Sequence, residues 1–389
     1  MAKTVNVALI GYKFMGRTHS NAFRQAPVFF PELPVKPVMK VLVGRNRDAV
    51  KAVADQFGWE EISTDWREVV ERDDIDVIDI GSPGNTHAEI AIAAAKAGKH
   101  IISEKPLANS LEEAKAIVAA AKEAGVITLC NYNYRRVPAV RLAKKLIESG
   151  ALGEIRHYRG TYLQDWIVDP EFPLVWRLRK EIAGAGALGD IGSHNIDLCR
   201  YLVGEPTRVT ALTKTFIKQR PLPAEDMGAW GSSAGGGMGE VTVDDAALII
   251  AELDNGAIAS FEATRFALGR KNYNYFEING SKGSIVFNFE RMNELQFYDG
   301  TQPTDRQGWA VIQATNAGDH DYIDHWWPPG HPIGYEHTFT HAIVDFLYAI
   351  DKGEQPDSDF VSGAQTDAVV DAVLKSAETG QWQEVERIS

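Results

Sequence analysis

The sequence predicts an α/β protein: a doubly wound parallel domain followed by an α+β domain with a large, mostly antiparallel sheet. Up to Cys130, short apolar strands alternate with helical patterns, which is typical of parallel strands joined by crossover helices. Beyond Gly150, alternating apolar and polar residues are separated by hairpin turns. We therefore expect two domains, 1–131 and 132–389.

Length and composition bound the class of protein. A chain of 389 residues, 44% hydrophobic and 24% charged, is typical of a globular protein with more than one core. The net charge of −13 argues against nucleic acid or an anionic membrane as a partner. Two cysteines, no apolar run of membrane-spanning length and no signal pattern favour a cytoplasmic protein.

The first strand, Val5–Ile10, leads into a glycine-bearing turn and a helix. Its sequence, Gly11-Tyr12-Lys13-Phe14-Met15-Gly16, has the spacing of a dinucleotide-binding fingerprint with Lys13 in place of the middle glycine. The Lys13 ammonium could reach a phosphate oxygen beside the positive helix N-terminus. The setting of strand, turn and helix predicts a Rossmann domain, with Gly11, Lys13, Phe14, Met15 and Gly16 against the cofactor.

The second strand, Val38–Val43, follows a proline-rich stretch, Gln25–Pro37, that we interpret as an inserted loop. The strand ends at Gly44-Arg45-Asn46-Arg47. An acidic residue at this place would bind the adenosine ribose. Its absence and the nearby Arg45 favour a 2′-phosphate, and hence NADP over NAD, by a small margin; a helix start with solvated arginines is the alternative.

The third strand, Ile75–Ile80, ends in a loop that opens a helix over Ala88–Ala97. A short helix, Asp65–Glu71, precedes the strand. The loop supplies four candidates for cofactor contact, namely Ser82, Pro83, Asn85 and His87. His87 could face a phosphate or could be a surface residue of the first helical turn.

The fourth strand is centred on Ile101 and Ile102 and ends in Ser103-Glu104-Lys105-Pro106. Ligands of open parallel sheets bind at the carboxyl ends of strands, so Glu104 and Lys105 are candidates for the site. Lys105 could equally be a solvated loop charge. A capping box at Ser110 predicts a helix over Leu111–Ala124, and another strand follows at Val126–Cys130.

The second half of the chain combines helices with a mostly antiparallel sheet. Asp254-Asn255-Gly256 is a strong hairpin signal. The predicted helices are Arg136–Glu148, Ala187–Val203, Thr338–Ile350 and Ala364–Ala377, and the predicted strands are Ile155–Tyr162, Val209–Phe216, Val241–Leu253, Ala257–Phe266, Tyr273–Ile278 and Ser284–Phe289.

Two residues of the helix predicted over Ala187–Val203 carry a chemical pattern. Asp190 and His194 are four residues apart and so share a helix face. A neutral imidazole can accept the proton of an alcohol while a carboxylate orients the ring. An ion pair on the helix surface, or a core histidine bonded to a carbonyl, is the alternative.

Other candidates would recognise a polyol, because aromatic rings stack on its C–H faces while polar groups bind its hydroxyls. Gln164 and Trp166 end a predicted strand, and Tyr134 and Tyr335 are further substrate contacts. Trp176 and Arg177 are placed among the cofactor contacts. Each aromatic could also be an ordinary core residue.

Two stretches have no regular pattern. Met227–Gly239 is rich in glycine and serine and predicts a flexible excursion. Pro303–Gly334 carries several histidines and aspartates, but their spacing matches no compact metal site, so we predict no metal. A lid over the substrate or an arm at an interface is expected there.

The motifs together resemble the Gfo/Idh/MocA oxidoreductase family. The matching stretches are V-A-L-I-G-Y-K-F-M-G, S-P-G-N-T-H, S-E-K-P-L and G-D-I-G-S-H. N-Y-R-R-V-P at 133–138 and G-T-Y-L-Q-D-W at 160–166 resemble the levoglucosan dehydrogenase branch, and related cyclitol and aldose dehydrogenases are similar. Lys13 and Gly44-Arg45 depart from the usual pattern of that family.

The resemblance implies an NAD(P)-dependent dehydrogenase acting on a ring hydroxyl of a sugar, anhydrosugar or cyclitol. It implies that Lys105 hydrogen-bonds the reacting hydroxyl, that His194 is the acid/base and that Asp190 assists it. It also implies an open-faced C-terminal sheet of the kind often used to form a homodimer or homotetramer; a face covered by the chain's own segments is the alternative. An NAD-dependent glycosidase of the same fold and a non-catalytic dinucleotide-binding regulator are the alternatives.

Overall fold

The computed structural model describes residues 3–223 and 234–389. Its helices are α1 (Phe14–Phe29), α2 (Arg47–Phe57), α3 (Trp66–Val70), α4 (His87–Lys96), α5 (Leu111–Ala124), α6 (Pro138–Glu148), α7 (Lys180–Ala183), α8 (Ser193–Leu202), α9 (Tyr335–Lys352) and α10 (Phe360–Thr379). Its strands are β1 (Lys3–Ile10), β2 (Val35–Val43), β3 (Glu61–Ser63), β4 (Val77–Ile80), β5 (His100–Ser103), β6 (Thr128–Cys130), β7 (Ile155–Leu163), β8 (Pro206–Lys214), β9 (Gln219–Pro223), β10 (Ala234–Glu240), β11 (Ala246–Leu253), β12 (Ile258–Thr264), β13 (Tyr273–Gly280), β14 (Gly283–Asn288), β15 (Glu294–Asp299), β16 (Trp309–Gln313) and β17 (Gln383–Glu384).

The chain divides into two compact units. The first comprises the chain up to Asn133 together with Gly334–Asp367 and Ile388–Ser389, and the second comprises Tyr134–Ile333 with Ala368–Arg387. The sequence predicts a domain boundary at 131/132, close to the point after Asn133 where the chain first passes from one unit to the other. The prediction places 334–367 in the C-terminal domain. Those residues join the first unit because α9 packs on α1 and the Gln355 side chain accepts a hydrogen bond from the Thr128 N–H at 2.9 Å.

The first unit is built on a six-stranded parallel sheet in the order β3-β2-β1-β4-β5-β6. Strand β4 is buried along its whole length, as expected of a strand covered on both faces. The strand order reverses between β1 and β4. The turns after β1 and β4 therefore meet at a topological switch point, where α/β sheets bind their ligands.

Two features of the first unit differ from the prediction. The predicted loop Gln25–Pro37 is wrong at both ends, because α1 continues through Pro27 to Phe29 and β2 begins at Val35. Helix α1 continues because Phe23 and Ala26 are buried, and β2 begins earlier than predicted because its first residues pair with β1. Strand β3 was not predicted, since three residues are too few to show a period.

The second unit contains a nine-stranded sheet in the order β16-β15-β14-β13-β7-β12-β11-β8-β17. Every neighbouring pair is antiparallel except β7 and β12, which confirms the mostly antiparallel sheet. Helix α8 packs on β7 and β12, and α6 packs on β14 and β15. A separate two-stranded ribbon is formed by β9 and β10.

The two stretches predicted to be irregular are partly ordered into strands. The predicted excursion Met227–Gly239 lies outside the described residues up to position 233, and its remainder belongs to β10, paired with β9. The predicted irregular segment Pro303–Gly334 contains β16, which extends the large sheet beyond β15. None of the helices in 3–223 and 234–389 is long and apolar enough to cross a membrane.

Candidate active site

The turn after β1 has the shape required by a bound dinucleotide. Gly11 has φ +119°, and a Cβ there would lie 2.7 Å from the carbonyl carbon of Gly81. A Cβ on Gly16 would lie 2.1 Å from the Gly11 oxygen, so only glycine lets α1 start against the turn. The first turn of α1 carries no acid, and Lys13 is exposed at its N-cap. These features fit the pyrophosphate of a dinucleotide at the N-terminus of α1.

The end of β2 offers no carboxylate to a ribose. A Cβ on Gly44 would lie 2.3 Å from the Tyr12 ring, so no larger residue fits there without a shift. Asn46 caps α2, since its Oδ1 accepts the Ala49 N–H at 3.1 Å. Arg45 is exposed between them.

The loop after β4 holds three of the predicted cofactor contacts at its surface and one in its interior. Ser82 and Pro83 are half-buried and Asn85 is exposed. His87 is buried: Nε2 lies 2.9 Å from the Ser82 oxygen and Nδ1 lies 3.0 Å from the Pro106 oxygen. Burial lowers its pKa. His87 thus lies between two loops with a carbonyl oxygen near each ring nitrogen, and its neutral imidazole can donate its single N–H to one of them. Neither predicted position, facing a phosphate or at the surface, describes it.

The segment after β5 carries one buried and one half-buried charged residue. Glu104 is buried, and Lys105 is half-buried. The Lys105 N–H donates to Glu104 Oε2 at 3.3 Å. The peptide bond between Lys105 and Pro106 is cis. Glu104 therefore contacts the backbone of the lysine that the sequence singles out.

Glu104 belongs to a buried group that the sequence did not reveal, here called the imidazole–carboxylate cluster: His19, Asp79, Glu104 and Asn131. His19 Nδ1 lies 2.7 Å from Asp79 Oδ2, and His19 Nε2 lies 2.9 Å from Glu104 Oε1. Asn131 Nδ2 donates to Glu104 Oε1 at 2.7 Å. The only signal in the sequence is Asp79, a charged residue inside an apolar strand.

The two carboxylates control the protonation of His19. Burial alone lowers the pKa of His19, but Asp79 and Glu104 outweigh it and raise the pKa to about 10. Burial raises the pKa of Asp79. Burial opposes ionisation of Glu104 too, yet the hydrogen bond and charge of His19 lower its pKa overall. The cluster therefore keeps a doubly bonded imidazole in the interior of the first unit.

In the second unit, His194 lies in the first turn of α8. The sequence predicts one helix over Ala187–Val203, whereas the structure has a π-helical turn at Leu188–Gly192 before α8. Such turns are frequent at functional sites. The His194 ring is stacked on Tyr134, with centroids 4.1 Å apart and planes at 18°.

A chain of hydrogen bonds runs from Tyr134 along the end of β7. The Tyr162 hydroxyl donates to Asn272 Oδ1 at 2.6 Å, so the 2.7 Å contact between the two tyrosine hydroxyls has Tyr134 as donor. Gln164 Nε2 also donates to Asn272 Oδ1, at 2.8 Å, and Gln164 Oε1 accepts from Trp166 Nε1 at 2.9 Å. The structure thus joins Tyr134, Gln164 and Trp166, all predicted, through Tyr162 and Asn272, which were not.

Asp190, in the π-helical turn, faces two arginines. Arg265 Nη1 lies 3.5 Å and Arg177 Nε lies 3.8 Å from Asp190 Oδ2. Arg265 is fully buried, and its guanidinium lies 5.5 Å from the centre of the Trp166 ring. The Arg177 guanidinium covers Trp176 at 4.3 Å. Asp190 is therefore held by cations, one of which, Arg265, was not predicted.

A buried ion pair fixes Tyr134 to the helix that carries His194. Arg135 Nε donates to Asp197 Oδ2 at 2.9 Å, and Nη2 donates to Oδ1 at 2.5 Å. Both side chains are almost wholly buried. Arg135 is the chain neighbour of Tyr134, and Asp197 lies on α8 with His194. The ion pair therefore holds the stacked rings of Tyr134 and His194 in contact.

The remaining predicted contact, Tyr335, is the first residue of α9 in the first unit, with its ring at 73° to Phe339. Asp165, beside Gln164, pairs with Lys271 at 2.8 Å. Within 3–223 and 234–389, no group of three His, Cys, Asp or Glu side chains could hold a metal ion.

Comparisons with known proteins match both units. The oxidoreductase family model with an NAD-binding Rossmann fold covers residues 5–132, and the GFO/IDH/MocA C-terminal domain covers 140–286. Levoglucosan dehydrogenase of Pseudarthrobacter phenanthrenivorans is 47% identical over the full length of both chains. The scyllo-inositol 2-dehydrogenase (NAD(+)) of Bacillus subtilis is 31% identical, covering 73% of this chain and 74% of that protein.

A solved structure agrees along the whole chain. Levoglucosan dehydrogenase in complex with NADH and levoglucosan has a TM-score of 0.93 and 45% identity, covering 99% of this chain and 100% of that one. The family resemblance and the α/β fold class predicted from the sequence are thereby confirmed. With both domain models matched in order and a full-length relative at 47% identity, the chain belongs to the Gfo/Idh/MocA family of NAD-binding oxidoreductases.

Proposed function

We propose that this oxidoreductase oxidises a secondary ring hydroxyl of a sugar, anhydrosugar or cyclitol. Levoglucosan is the first candidate substrate, because a levoglucosan dehydrogenase is 47% identical to this chain over its whole length. The nicotinamide of the bound dinucleotide would accept the hydride of the carbinol carbon. The chain's own side chains bind the polyol and move its proton.

The observation that carries this proposal is the position of His194. Its imidazole is buried against Tyr134, and the hydrogen-bonded chain that starts at Tyr134 ends at Gln164 and Trp166. A neutral imidazole in this environment can take the hydroxyl proton. His194 is therefore the proposed acid/base, and Gln164 and Trp166 are proposed to bind the polyol together with Tyr134 and Tyr335.

Lys105 is proposed to hydrogen-bond the reacting hydroxyl. It follows β5 at the carboxyl edge of the parallel sheet, and an ammonium group only donates, so it would bind the oxygen rather than accept the proton. Asp190 is proposed to orient the substrate and the imidazole. Its carboxylate lies 3.5 Å from Arg265 Nη1 and 3.8 Å from Arg177 Nε, which supports a fixed orientation.

The cofactor is proposed to be NADP or NAD, with NADP favoured. Gly11, Lys13, Phe14, Met15 and Gly16 would bind the pyrophosphate side. The end of β2 supports the preference, because Gly44 has no room for a side chain and Arg45 is exposed for a 2′-phosphate. An Arg45→Gln variant should lose kcat/KM with NADP by about tenfold and change little with NAD. Equal losses with both cofactors would contradict the preference.

Further contacts with the cofactor are proposed for Ser82, Pro83, Asn85, Glu104, Trp176 and Arg177. Of these, Asn85 is exposed and Glu104 is buried within the imidazole–carboxylate cluster. Because it is buried, Glu104 would influence the bound cofactor through the residues that it contacts, such as Lys105.

Assembly as a homodimer or homotetramer is proposed through the large sheet. Leu248 and Ile250 alternate with buried residues of β11 and are 51% and 54% exposed. Leu212 of β8 is paired with Leu248, so it lies on the same face, and Ile258 of β12 adds to it. An apolar face of this kind is typical of an interface. Light scattering of the purified chain tests the proposal, and a monomer would contradict it.

The cytoplasm is the proposed location. Both cysteines, Cys130 and Cys199, are buried and unbridged. Thiols of this kind are typical of proteins from reducing compartments. Fractionation of cells that express the chain would test this location.

The deciding experiment measures cofactor reduction against a panel of sugars, anhydrosugars and inositols with NAD and NADP. Lys105→Ala and His194→Ala should each lose turnover by about a hundredfold or more, because each would remove a group that contacts the reacting hydroxyl. The exposed Lys122→Ala serves as control. Near-normal turnover of both variants, aglycone release without reduced cofactor, or binding without turnover would each contradict the proposal.

A further inference from the structure

We propose that His19 is a positioning residue for Lys105, acting through Glu104 of the imidazole–carboxylate cluster. The inference rests on the proposed role of Lys105 in turnover. It concerns three residues, His19, Asp79 and Asn131, that the proposed reaction does not otherwise use.

The bridging geometry fixes the number of protons in the cluster. Both ring nitrogens of His19 lie within 2.9 Å of a carboxylate oxygen, and each such contact needs one proton. The two bridging protons give either an imidazolium between two carboxylates or a neutral imidazole with one carboxylic acid. Both arrangements have a net charge of −1. The cluster therefore carries one buried negative charge, wherever each proton resides.

The contacts of Glu104 direct this charge to Lys105. Oε1 is occupied by His19 and by Asn131 Nδ2 at 2.7 Å. Oε2 accepts the Lys105 N–H at 3.3 Å. Lys105 is also among the charges that lower the pKa of Glu104, although burial opposes them. Glu104 is therefore held at one oxygen by His19 and holds Lys105 at the other.

The cluster joins four segments that meet at the carboxyl edge of the parallel sheet. His19 comes from α1, Asp79 from β4, Glu104 follows β5 and Asn131 follows β6. His19 also packs on Phe339 of α9, with ring centroids 5.6 Å apart. The charged or titratable groups around the imidazole are thus Asp79, Glu104 and, beyond them, Lys105 and His87.

Fixed orientation of a reacting group matters for rate, since a displacement of about 1 Å can cost about a hundredfold. Loss of the His19 bridge frees Glu104 to rotate and lets a proton settle on it. The segment with Lys105 then loses both its hydrogen-bond acceptor and the nearby negative charge. The expected effect falls on kcat, while the turn after β1 that binds the dinucleotide is unchanged.

The test is a double-mutant cycle on the full-length enzyme with His19→Gln, Lys105→Ala and the pair. We expect His19→Gln to lower kcat by about ten- to a hundredfold and to change the dissociation constants of NADPH and NADH by less than about threefold. The double variant should be no slower than Lys105→Ala alone, because His19 acts through Lys105. The control is His100→Gln, a histidine of β5 whose Nδ1 accepts the Ile127 N–H at 3.1 Å at the other end of the strand.

Asp79→Asn is the second variant, for the case that His19→Gln does not bind NADH. Its amide oxygen can still accept from His19, but the charge is lost, so the remaining bridging proton is held less firmly. We expect the pH profile of kcat to gain an ionisation between about pH 6 and 9 that the wild-type profile lacks, which a purely structural role would not produce.

Two results would overturn the inference and they are distinguishable. Additive losses in His19→Gln and Lys105→Ala would show that His19 acts independently, leaving the role of Lys105 intact. Wild-type turnover of Lys105→Ala would remove the proposed role of the lysine and this inference with it.

Discussion

The ring of Tyr134 lies flat against the imidazole of His194, with centroids 4.1 Å apart and planes at 18°. The Tyr134 hydroxyl is occupied by Tyr162, and its ring also contacts Phe289 at 4.5 Å. The face of a phenol ring is electron-rich and attracts a cation stacked on it. Tyr134 is therefore suited to stabilise the imidazolium that forms when His194 accepts a proton.

Replacing Tyr134 by leucine should lower kcat/KM for polyol oxidation by about two- to thirtyfold. Leucine preserves burial but removes the π face, so the imidazolium that forms in the reaction loses about 0.5–2 kcal/mol of stabilisation. The measurement is steady-state kinetics of polyol oxidation at saturating cofactor.

Tyr134→Phe is the matched control, because it keeps the ring and loses only the hydroxyl that bonds Tyr162. Its kcat/KM should stay within about twofold of the wild-type value, since the π face is retained. An equal loss in the Phe and Leu variants would show that the hydroxyl chain, and not the ring, supports His194.

Arg265→Met should reduce kcat/KM for the polyol by about ten- to a hundredfold, because it removes the buried cation that faces Asp190. Arg265 is fully buried, with Nη1 3.5 Å from Asp190 Oδ2. NADH affinity should change little, and steady-state kinetics with NADH titration separates the two effects.

Arg220→Met provides the comparison for Arg265. Arg220 is equally buried, but its guanidinium donates to the main-chain oxygens of Asp169, Phe172 and Ile167. Arg220→Met should lower the thermal midpoint of the protein, whereas the molecules that stay folded should keep a near-normal kcat/KM. If both variants lose activity only in proportion to their stability, Arg265 has no specific role at Asp190.

The ion pair of Arg135 and Asp197 should contribute mainly to stability. Asp197→Ala removes the carboxylate that a buried guanidinium faces, which costs on the order of 3–5 kcal/mol of unfolding free energy. Urea denaturation measures the loss. The exposed pair of Asp55 and Lys51 is the control, since Asp55→Ala should cost less than about 1 kcal/mol. Similar losses of unfolding free energy at both sites would contradict a specific stabilising role of Asp197.

Local sequence patterns predicted the parallel sheet and the helices that connect its strands. Helix α5 agrees with the prediction at both ends, because Ser110 caps it and Gly125 ends it in the left-handed region. The proline-rich stretch before β2 misled, since Pro27 is tolerated within α1 when its neighbours are buried. That burial depends on tertiary packing, which no local pattern contains.

The sequence could single out individual candidates such as Lys105 and His194, whose roles stay predictions. The candidate site was not predictable where residues act in groups from distant parts of the chain. His19 and Asp79 are 60 positions apart, and Arg265 is 75 positions after Asp190. His87 shows the converse error, because its spacing matched a cofactor loop while its ring nitrogens face carbonyls within the protein.

His320 should make the enzyme lose stability as the pH falls from about 6.5 to about 4. Its Nδ1 lies 3.3 Å from the Tyr322 N–H, and burial lowers its pKa from 6.5 to about 4, against the opposing charges of Asp319 and Asp321. In this pH window the unfolded chain binds a proton at His320 and the folded chain does not. The stability that this difference contributes is therefore complete above pH 6.5 and is lost by pH 4, on the order of 3 kcal/mol. The thermal midpoint of the wild type should fall more steeply between about pH 7 and 4.5 than that of His320→Asn, whose Oδ1 can replace Nδ1 as acceptor. The exposed His331→Asn should follow the wild type throughout. Parallel curves for the wild type and His320→Asn would contradict this role of His320.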